Sequence, residues 1–435
     1  MKRVISFIII LVLLISMSVP LLSVNAADYG IDFEMMCDAV YVENLDTGIV
    51  MYEENADKKV PPASLTKMMT YIVVAESVPD LVNTKVEITS EALAGLDPAS
   101  SVMGLADYIG YEFSVLDLLH GLMIPSGNDA ALVLAQYVGD GSVDKFVDLM
   151  NRKAGQLKCS DTHFVNPHGL YDPNHYSTAY DLATIAKYAQ QKAYFNEIVS
   201  KPYYQVEGMA HTLKNTNYML NSSYPEYYYE PVTGIKTGYT DEAGKCLASC
   251  AYTDGYYYLC IALGAPYSYA EDVNYAMLDT RSIYQYLFNN VSFVELLSDA
   301  SVVDSLSVEF VWGDKAVDVI TNGSVSALLP NDYDESLVKT VYDLPDYVSA
   351  PIEKGQVIGS VTVFYDKEIV GTTDVVCAET FERDQTNYLM HRFIGFVYNN
   401  IIWLSIVASV VIVLGIMYIN AQIRHKKRNS RYRYR

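Results

Sequence analysis

The chain has 435 residues and carries 52 acidic against 30 basic side chains, a formal net charge of −22 at pH 7. Its hydrophobic fraction of 51% is typical of folded proteins and excludes a mainly disordered chain. So acidic a chain is unsuited to binding nucleic acid, whose phosphates attract basic surfaces. The length allows two or three domains.

Both ends of the chain carry features of export and membrane anchoring. A basic start, an apolar run and a small-residue end predict a cleaved secretory signal peptide over residues 1–26. Residues 399–421 form an uncharged, mainly apolar stretch long enough to cross a bilayer as one helix. The basic tail, residues 422–435, favours the cytoplasmic side, so the body of the chain is predicted to lie outside the cell, joined to the membrane through a juxtamembrane segment over residues 383–398.

The first predicted elements after the signal are two strands, residues 39–44 and 49–53, joined by a glycine-containing turn. A proline pair at residues 61–62 leads into an apolar run over residues 68–74, which is typical of a buried helix. Because proline suits the first turn of a helix, this helix is predicted to begin at or just before Ser64.

Ser64 and Lys67 form a candidate nucleophilic pair. Their spacing of three residues is close to one helical turn, so the lysine amine is expected beside the serine hydroxyl. An amine in that place activates the hydroxyl as a nucleophile. The same spacing occurs in residues 142–145 and 336–339, so the pattern alone does not choose among the three.

Two further motifs distinguish Ser64 from these alternatives. The first is Ser-Gly-Asn at residues 126–128, just after the proline that ends an apolar run over residues 116–124. Because proline disfavours helix in the residue before it, this motif is predicted to be a loop between helices. The second is Lys-Thr-Gly at residues 236–238, which occurs once in the chain.

The middle of the chain is predicted to be helical and its continuation to form strands. Apolar residues recur at helical spacing in three segments, residues 130–138, 146–157 and 179–190. Three strands follow, residues 234–240, 246–252 and 256–263, and then a closing helix over residues 272–288. Because strands flank the helices in the sequence, we expect one antiparallel sheet covered by one layer of helices.

From about residue 291 the pattern changes to short strands separated by turn residues. Examples are residues 307–312, 338–341 and 355–365. We therefore predict a first domain over residues 27–289 and a second, β-type domain over residues 290–382. The second domain contains no evident catalytic grouping.

Cysteines and tyrosines each allow two interpretations. The six cysteines include no C-x-x-C pair and are interpreted as small buried side chains, with a disulfide between Cys250 and Cys260 as the alternative. No metal or cofactor is predicted. The tyrosine-rich segment over residues 201–230 is interpreted as a packed loop, with an aromatic shelf for a ligand as the alternative.

The three motifs resemble those of the D-alanyl-D-alanine carboxypeptidases, which are low-molecular-mass penicillin-binding proteins and serine peptidases. Residues 164–170 and 175–183 are similar to segments that these enzymes carry between the second and third motifs. The likeness covers residues 39–265 and extends more weakly to residue 378. It implies an α+β fold, with a penicillin-binding/β-lactamase-like transpeptidase domain of antiparallel sheet and helices, a small β domain and a C-terminal transmembrane helix.

The resemblance also implies a covalent mechanism carried by the first two motifs. Ser64 would attack the carbonyl between the last two D-alanines of a peptidoglycan stem peptide, and water would then release the shortened peptide. Lys67 would be the general base, and Ser126 would hydrogen-bond this lysine and relay a proton to the leaving amine. Asn128 would hold the substrate's backbone amide. β-Lactam antibiotics mimic D-Ala-D-Ala and would acylate the same serine.

The third motif would bind the substrate by the same resemblance. Lys236 and Thr237 would bind the free carboxylate of the terminal residue, and Gly238 would let the peptide lie close as an added strand. The backbone N–H groups of Ser64 and Tyr239 would form the oxyanion hole.

Three points stay open at the level of sequence. A β-lactamase-like hydrolase is one alternative, although the acidic residues between positions 166 and 181 do not fit that family's pattern. A slow, penicillin-acylable receptor of cell-wall precursors, without useful turnover, is another. His175 either borders the site or has a purely structural role.

Overall fold

The structure, a computed structural model, describes residues 29–97, 99–270 and 272–432, with side chains as far as residue 425. The chain divides into two units, one ending at Ser292 and the other beginning at Phe293. The predicted signal peptide, residues 1–26, lies outside the described residues.

An antiparallel sheet organises the first unit. The strands of this unit are β1 (Ala39–Asn44), β2 (Val50–Glu54), β3 (Lys85–Glu87), β4 (Glu112–Ser114), β5 (Tyr203–Tyr204), β6 (Leu213–Lys214), β7 (Val232–Thr240), β8 (Gly244–Thr253) and β9 (Tyr256–Ala265). Five of them form the main sheet in the order β2-β1-β9-β8-β7, and the others form two short pairs, β3-β4 and β5-β6. The predicted strands of this unit are confirmed, and β7, which carries the Lys-Thr-Gly motif, lies at the sheet edge.

The helices of the first unit are α1 (Lys67–Ser77), α2 (Val115–Met123), α3 (Asn128–Val138), α4 (Val143–Gln156), α5 (Ala179–Ala189), α6 (Phe195–Val199) and α7 (Tyr275–Asn290). The start of α1 differs from the prediction, because a 3₁₀ turn over Ala63–Thr66 precedes it and contains Ser64. The Leu65 N–H donates to the Pro62 carbonyl at 3.1 Å, the three-residue spacing of a 3₁₀ helix.

Helices cover both faces of the main sheet, so the prediction of one helical layer is wrong. Leu259 and Ile261 of β9 belong to the large core that contains α1 to α6. Between them, Cys260 approaches Thr280 of α7, with 3.7 Å from Sγ to Oγ1. Because successive side chains of a strand point to opposite faces, α7 lies on the second face. Consecutive apolar residues in β9 explain why both faces are buried.

The second unit is mainly β. Its strands are β10 (Val291–Leu297), β11 (Val302–Glu309), β12 (Lys315–Asn322), β13 (Val325–Pro330), β14 (Val338–Asp343), β15 (Tyr347–Ser349), β16 (Val357–Tyr365) and β17 (Glu368–Cys377). Six form a sheet in the order β14-β16-β17-β12-β11-β15, and β10 pairs with β13. The predicted strand at residues 307–312 ends instead at Glu309, because Phe310 takes a φ of 62°, which breaks the extended backbone.

Two helices, α8 (Gln385–Asn399) and α9 (Ile401–Tyr432), end the described chain. Within α9, Ile401–His425 is long and apolar enough to cross a membrane, which makes it a candidate anchor. The predicted fold class, α+β with a C-terminal β domain and an apolar C-terminal helix, is confirmed.

The structure decides between the two interpretations of the cysteines and shows that the tyrosine-rich loop is packed at Tyr227, while Tyr218 of the same loop lines the cavity that Ser64 also lines. All six cysteines are free and buried. Cys250 pairs with Leu259 and Cys260 with Ser249 in the β8–β9 ladder, so the two thiols lie on opposite faces and cannot join. In the loop, Tyr227 is buried and its hydroxyl accepts the Asn274 N–H at 3.0 Å, as in a packed loop.

Candidate active site

Ser64 lies in its 3₁₀ turn close beside the edge strand β7. A Cβ atom at Gly238 would lie only 3.1 Å from the Ser64 nitrogen and 3.2 Å from the Pro62 oxygen. A Cβ atom at Gly169 would lie 1.9 Å from the Ala63 oxygen. Position 169 therefore needs glycine, because a side chain there would displace the turn that carries Ser64, whereas a side chain at Gly238 would have to push this turn by a few tenths of an ångström.

Lys67 begins α1, is completely buried and reaches three oxygen atoms. Its Nζ lies 2.9 Å from Ser64 Oγ, 2.6 Å from Asn128 Oδ1 and 2.7 Å from the carbonyl oxygen of His168. Burial holds the pKa of Lys67 well below its ordinary value, and the nearby Lys236 lowers it further.

This geometry fits a neutral amine that acts as a base. Two of the three contacts, Asn128 Oδ1 and the His168 carbonyl, can only accept hydrogen bonds. In neutral Lys67 the two amine hydrogens satisfy them, and the lone pair faces the Ser64 hydroxyl, which donates to it. The arrangement can therefore take the proton from Ser64.

The Ser-Gly-Asn motif joins α2 to α3, as predicted, with Asn128 as the first residue of α3. The expected contact between Ser126 and Lys67 is not present, and Asn128 takes that place. Ser126 has a φ of 62°, and its buried Oγ has no hydrogen-bond partner among the described residues. Since Ser126 lines the cavity in front of Ser64, its hydroxyl is free to meet a ligand there.

A buried carboxylate that the sequence analysis missed, Asp129, supports this motif. Its oxygens accept the backbone N–H groups of Met103, Gly104 and Leu105 at 2.7 to 2.9 Å. Three backbone donors satisfy the charge and tie the loop at residues 101–105 to the start of α3. An aspartate directly after Ser-Gly-Asn was the available sequence signal.

The side chains of Lys236 and Thr237, and of Tyr239 directly after the Lys-Thr-Gly motif, make different contacts. Lys236 is 1% exposed, burial lowers its pKa to about 7, and its Nζ donates to the Thr237 carbonyl at 3.0 Å. Thr237 hydrogen-bonds through its hydroxyl to Thr216. The Tyr239 hydroxyl donates to Asp241 Oδ1 at 2.6 Å. Thr216, like Asp129, was not predicted.

A cavity of about 460 Å³ lies in front of Ser64. Six of the predicted residues line it: Ser64, Ser126, Asn128, Thr237, Gly238 and Tyr239. The two predicted lysines, Lys67 and Lys236, do not; they lie buried behind its wall. The structure thus brings all eight predicted residues to one place, but only six to the surface that a ligand meets.

His175 supports the turn of Ser64 from behind. Its Nδ1 accepts the Val165 N–H at 3.2 Å, so Nε2 carries the proton and donates to Thr66 Oγ1 at 2.8 Å. The Thr66 hydroxyl in turn donates to the Ala63 carbonyl at 2.8 Å. Burial lowers the pKa of His175 to about 4, which keeps the ring neutral near pH 7. His175 does not line the cavity, so its role is structural.

No group of three or more histidine, cysteine or acidic side chains suited to a metal ion occurs in the part of the chain that the structure describes. The buried Lys67 amine in contact with the Ser64 hydroxyl is the arrangement of the class of Ser–Lys acyl-transfer sites, in which a lysine base activates a serine nucleophile.

Comparison with known proteins identifies the family. The chain matches the family described as D-alanyl-D-alanine carboxypeptidase over residues 28–266, and the penicillin-binding protein 5 C-terminal domain over residues 294–383. The chain therefore belongs to the D-alanyl-D-alanine carboxypeptidases, the penicillin-binding serine peptidases that its motifs resemble, and its predicted class, a serine-type carboxypeptidase, is confirmed.

Individual relatives agree with this assignment. The D-alanyl-D-alanine carboxypeptidase DacF of Bacillus subtilis is 30% identical over 82% of this chain and 88% of its own length. Penicillin-binding protein 5 of Haemophilus influenzae has a solved structure that is 27% identical, with a TM-score of 0.59 over 81% of this chain and 99% of that one. The DD-transpeptidase of Streptomyces K15 is 30% identical, with a TM-score of 0.53 over 59% of this chain and 99% of that one.

Proposed function

We propose that this enzyme removes the terminal D-alanine from peptidoglycan stem peptides through an acyl-enzyme on Ser64. The Ser64 oxygen bonds to the penultimate D-alanine carbonyl, the peptide bond breaks, and D-alanine leaves with a proton on its amine. Water then cleaves the ester and restores the hydroxyl. The observation that carries this proposal is the 2.9 Å approach of the buried Lys67 amine to Ser64 Oγ.

Lys67 acts as the general base and Ser126 passes the proton on to the leaving amine. The two acceptors that hold the Lys67 hydrogens support the first role. The free Ser126 hydroxyl on the cavity wall supports the second. Lys236 contributes through its charge, which lowers the pKa of Lys67 and so keeps the base available.

The substrate lies along the free edge of β7, as an added strand past Thr237 and Gly238. Gly238 supports this placement, because the strand already approaches the Ser64 turn as closely as a glycine allows. The N–H groups of Ser64 and Tyr239 stabilise the oxyanion, an effect typically worth about 3 kcal/mol per donor. Asn128 and Thr237 complete the polar wall that orients the peptide.

The decisive experiment measures D-alanine released from an acyl-D-Ala-D-Ala peptide, with penicillin labelling and penicillin hydrolysis followed in parallel. Release of D-alanine together with stable labelling supports the proposal. Rapid hydrolysis of penicillin without peptide cleavage would instead indicate a β-lactamase-like hydrolase. Labelling without either turnover would indicate a receptor of cell-wall precursors.

We also propose that the chain crosses the cell membrane once, with the catalytic unit outside and the basic tail inside. Two features support this topology. The candidate span Ile401–His425 has no acidic residue, lysine or arginine before Arg424, and basic residues follow it. Full-length protein should resist release by carbonate, and external protease on intact cells should leave the tail uncut. Removal of the tail by that protease would contradict the orientation.

A further inference from the structure

The catalytic cavity contains a cation that the proposed mechanism does not use. Among the described residues that line it, Lys245 is the one lysine or arginine, since Lys67 and Lys236 lie behind the wall. Lys245 sits on β8 directly opposite Tyr239 in the ladder with β7. Its side chain lines the same cavity as Ser64 and Thr237, where the substrate is proposed to bind.

Two aromatic rings hold the Lys245 side chain in position. Its Nζ lies 3.8 Å from the ring centroid of Tyr267 and 4.2 Å from that of Tyr239. The hydroxyls of these tyrosines donate to Asp272 at 2.7 Å and Asp241 at 2.6 Å, which orients the two rings. The rings fix a cation before any ligand arrives, so less side-chain entropy is lost on binding.

Lys245 forms no ion pair with a carboxylate of the described residues. Burial lowers the pKa of Lys245, and the nearby Asp272 carboxylate offsets this effect only in part. A half-buried ammonium that lacks a direct ion pair therefore still gains from an anionic ligand. The proposed substrates, peptides with a free terminal carboxylate, carry such a partner.

We propose that Lys245 binds a carboxylate of the peptide substrate and makes the enzyme selective for acidic peptides. The inference rests on the proposed function. The carboxylate is either that of the terminal D-alanine, near Thr237, or one on an upstream residue of the acyl part. Both are the same chemistry for an ammonium group.

The test uses full-length enzyme in detergent and two pairs of acyl-D-Ala-D-Ala peptides. One pair differs only in a free or amidated C-terminal carboxylate, and the other only in a free or amidated glutamyl carboxylate upstream. The variants are Lys245→Gln, the charge-retaining Lys245→Arg, and Lys214→Gln, which removes an exposed lysine that does not line the cavity. Released D-alanine or its amide gives kcat/KM for each combination.

We expect Lys245→Gln to lower kcat/KM about 10- to 100-fold on the acidic member of one pair and to leave its amidated partner nearly unchanged. Lys245→Arg should keep most of the activity, and Lys214→Gln should match wild type. The pair that responds identifies which carboxylate is bound. Equal effects of Lys245→Gln on acidic and amidated peptides in both pairs, or no effect, would overturn the proposal.

Failure of the proposed function looks different, because wild-type enzyme would then release no D-alanine from any peptide. Lys245 can still be judged in that event. Benzylpenicillin carries a carboxylate, so Lys245→Gln should slow labelling of Ser64 by benzylpenicillin but not by its methyl ester. Equal slowing by both compounds, or none, would overturn the role of Lys245.

Discussion

The two units bury different kinds of side chain. The first buries Lys67, Lys236 and Asp129 almost completely, whereas the buried polar residues described in the second are Thr321 and Thr373. The core of the second unit is built mainly of valines from its large sheet. Because burying an ionisable amine destabilises a fold unless the amine is well partnered, the two buried lysines of the first unit indicate a use other than stability.

Within the first unit, the hydrogen-bond partners of a buried polar group indicate whether its role is structural or chemical. Asp129 is satisfied by backbone donors and supports a loop. Ser126 Oγ, on the cavity wall, has no partner among the described residues. We infer that Ser126 Oγ, which faces the cavity without a partner, is placed to meet a ligand, whereas Asp129, satisfied by backbone groups, has a structural role.

The largest effect is expected from Ser64→Ala. Loss of the nucleophile should abolish covalent labelling by fluorescent penicillin and lower peptide cleavage by at least about 10⁴-fold. Ser142→Ala is the matched control, because Ser142 has the same spacing to a lysine but caps α4 by accepting the Lys145 N–H. It should cost about 1 kcal/mol of stability and leave labelling intact. Labelling of the Ser64→Ala protein would refute the site.

Lys236→Met should slow acylation of Ser64 without lowering the stability of the folded protein. The charge of Lys236 lowers the pKa of Lys67, so its removal should raise that pKa and move the acidic limb of the pH–acylation profile to higher pH. We expect acylation near pH 7 to fall about 10-fold or more. The folded state should be no less stable, since a buried amine is replaced by an apolar chain. An unmoved acidic limb, equal to that of the exposed-lysine control Lys145→Met, would exclude the electrostatic role.

His175 should make the first unit sensitive to acid. Its pKa is about 4 when folded against 6.5 for an unperturbed histidine, so the unfolded chain binds more protons between those values and stability falls as pH drops through them. Between pH 7 and pH 5 this group should cost about 2 kcal/mol. His175→Gln should lose correspondingly less over the same range, measured by denaturant unfolding. Identical pH dependence of both proteins would contradict this.

The smallest effect on activity is expected from the core of the second unit. Val361 is completely buried in its large sheet. Val361→Ala should lower stability by about 2 kcal/mol through lost burial and a small cavity. The rate of penicillin labelling on the folded protein should stay within about twofold of wild type. A slower labelling rate in the fully folded Val361→Ala protein would contradict the expectation that the core of the second unit contributes to stability but not to activity.

The main elements were predictable because their signals are local. Period-two and helical patterns located the strands of the main sheet and α3 to α5, and Thr178 caps α5 through the Asp181 N–H. The predictions failed in two places: where the backbone conformation of one residue ends a strand early, and where both faces of the sheet are covered by helices. Phe310 ended β11 early through its φ. The second helical layer was missed although consecutive apolar residues in β9 are the pattern of a strand buried on both faces.

Sequence by itself determined which residues are the candidates for the site, because three short motifs and their order depend only on residue identity and spacing. Their roles toward one another depended on tertiary structure. The partners of the Lys67 amine come from residues 61 and 101 positions away, and no local pattern encodes such contacts. Packing alone decided that Asn128 rather than Ser126 meets Lys67, that Lys236 lies behind the cavity wall, and that Lys245 lies on it. The reason is physical: spacing fixes neighbours along one helix or strand, whereas exposure to a cavity is a property of several elements packed together.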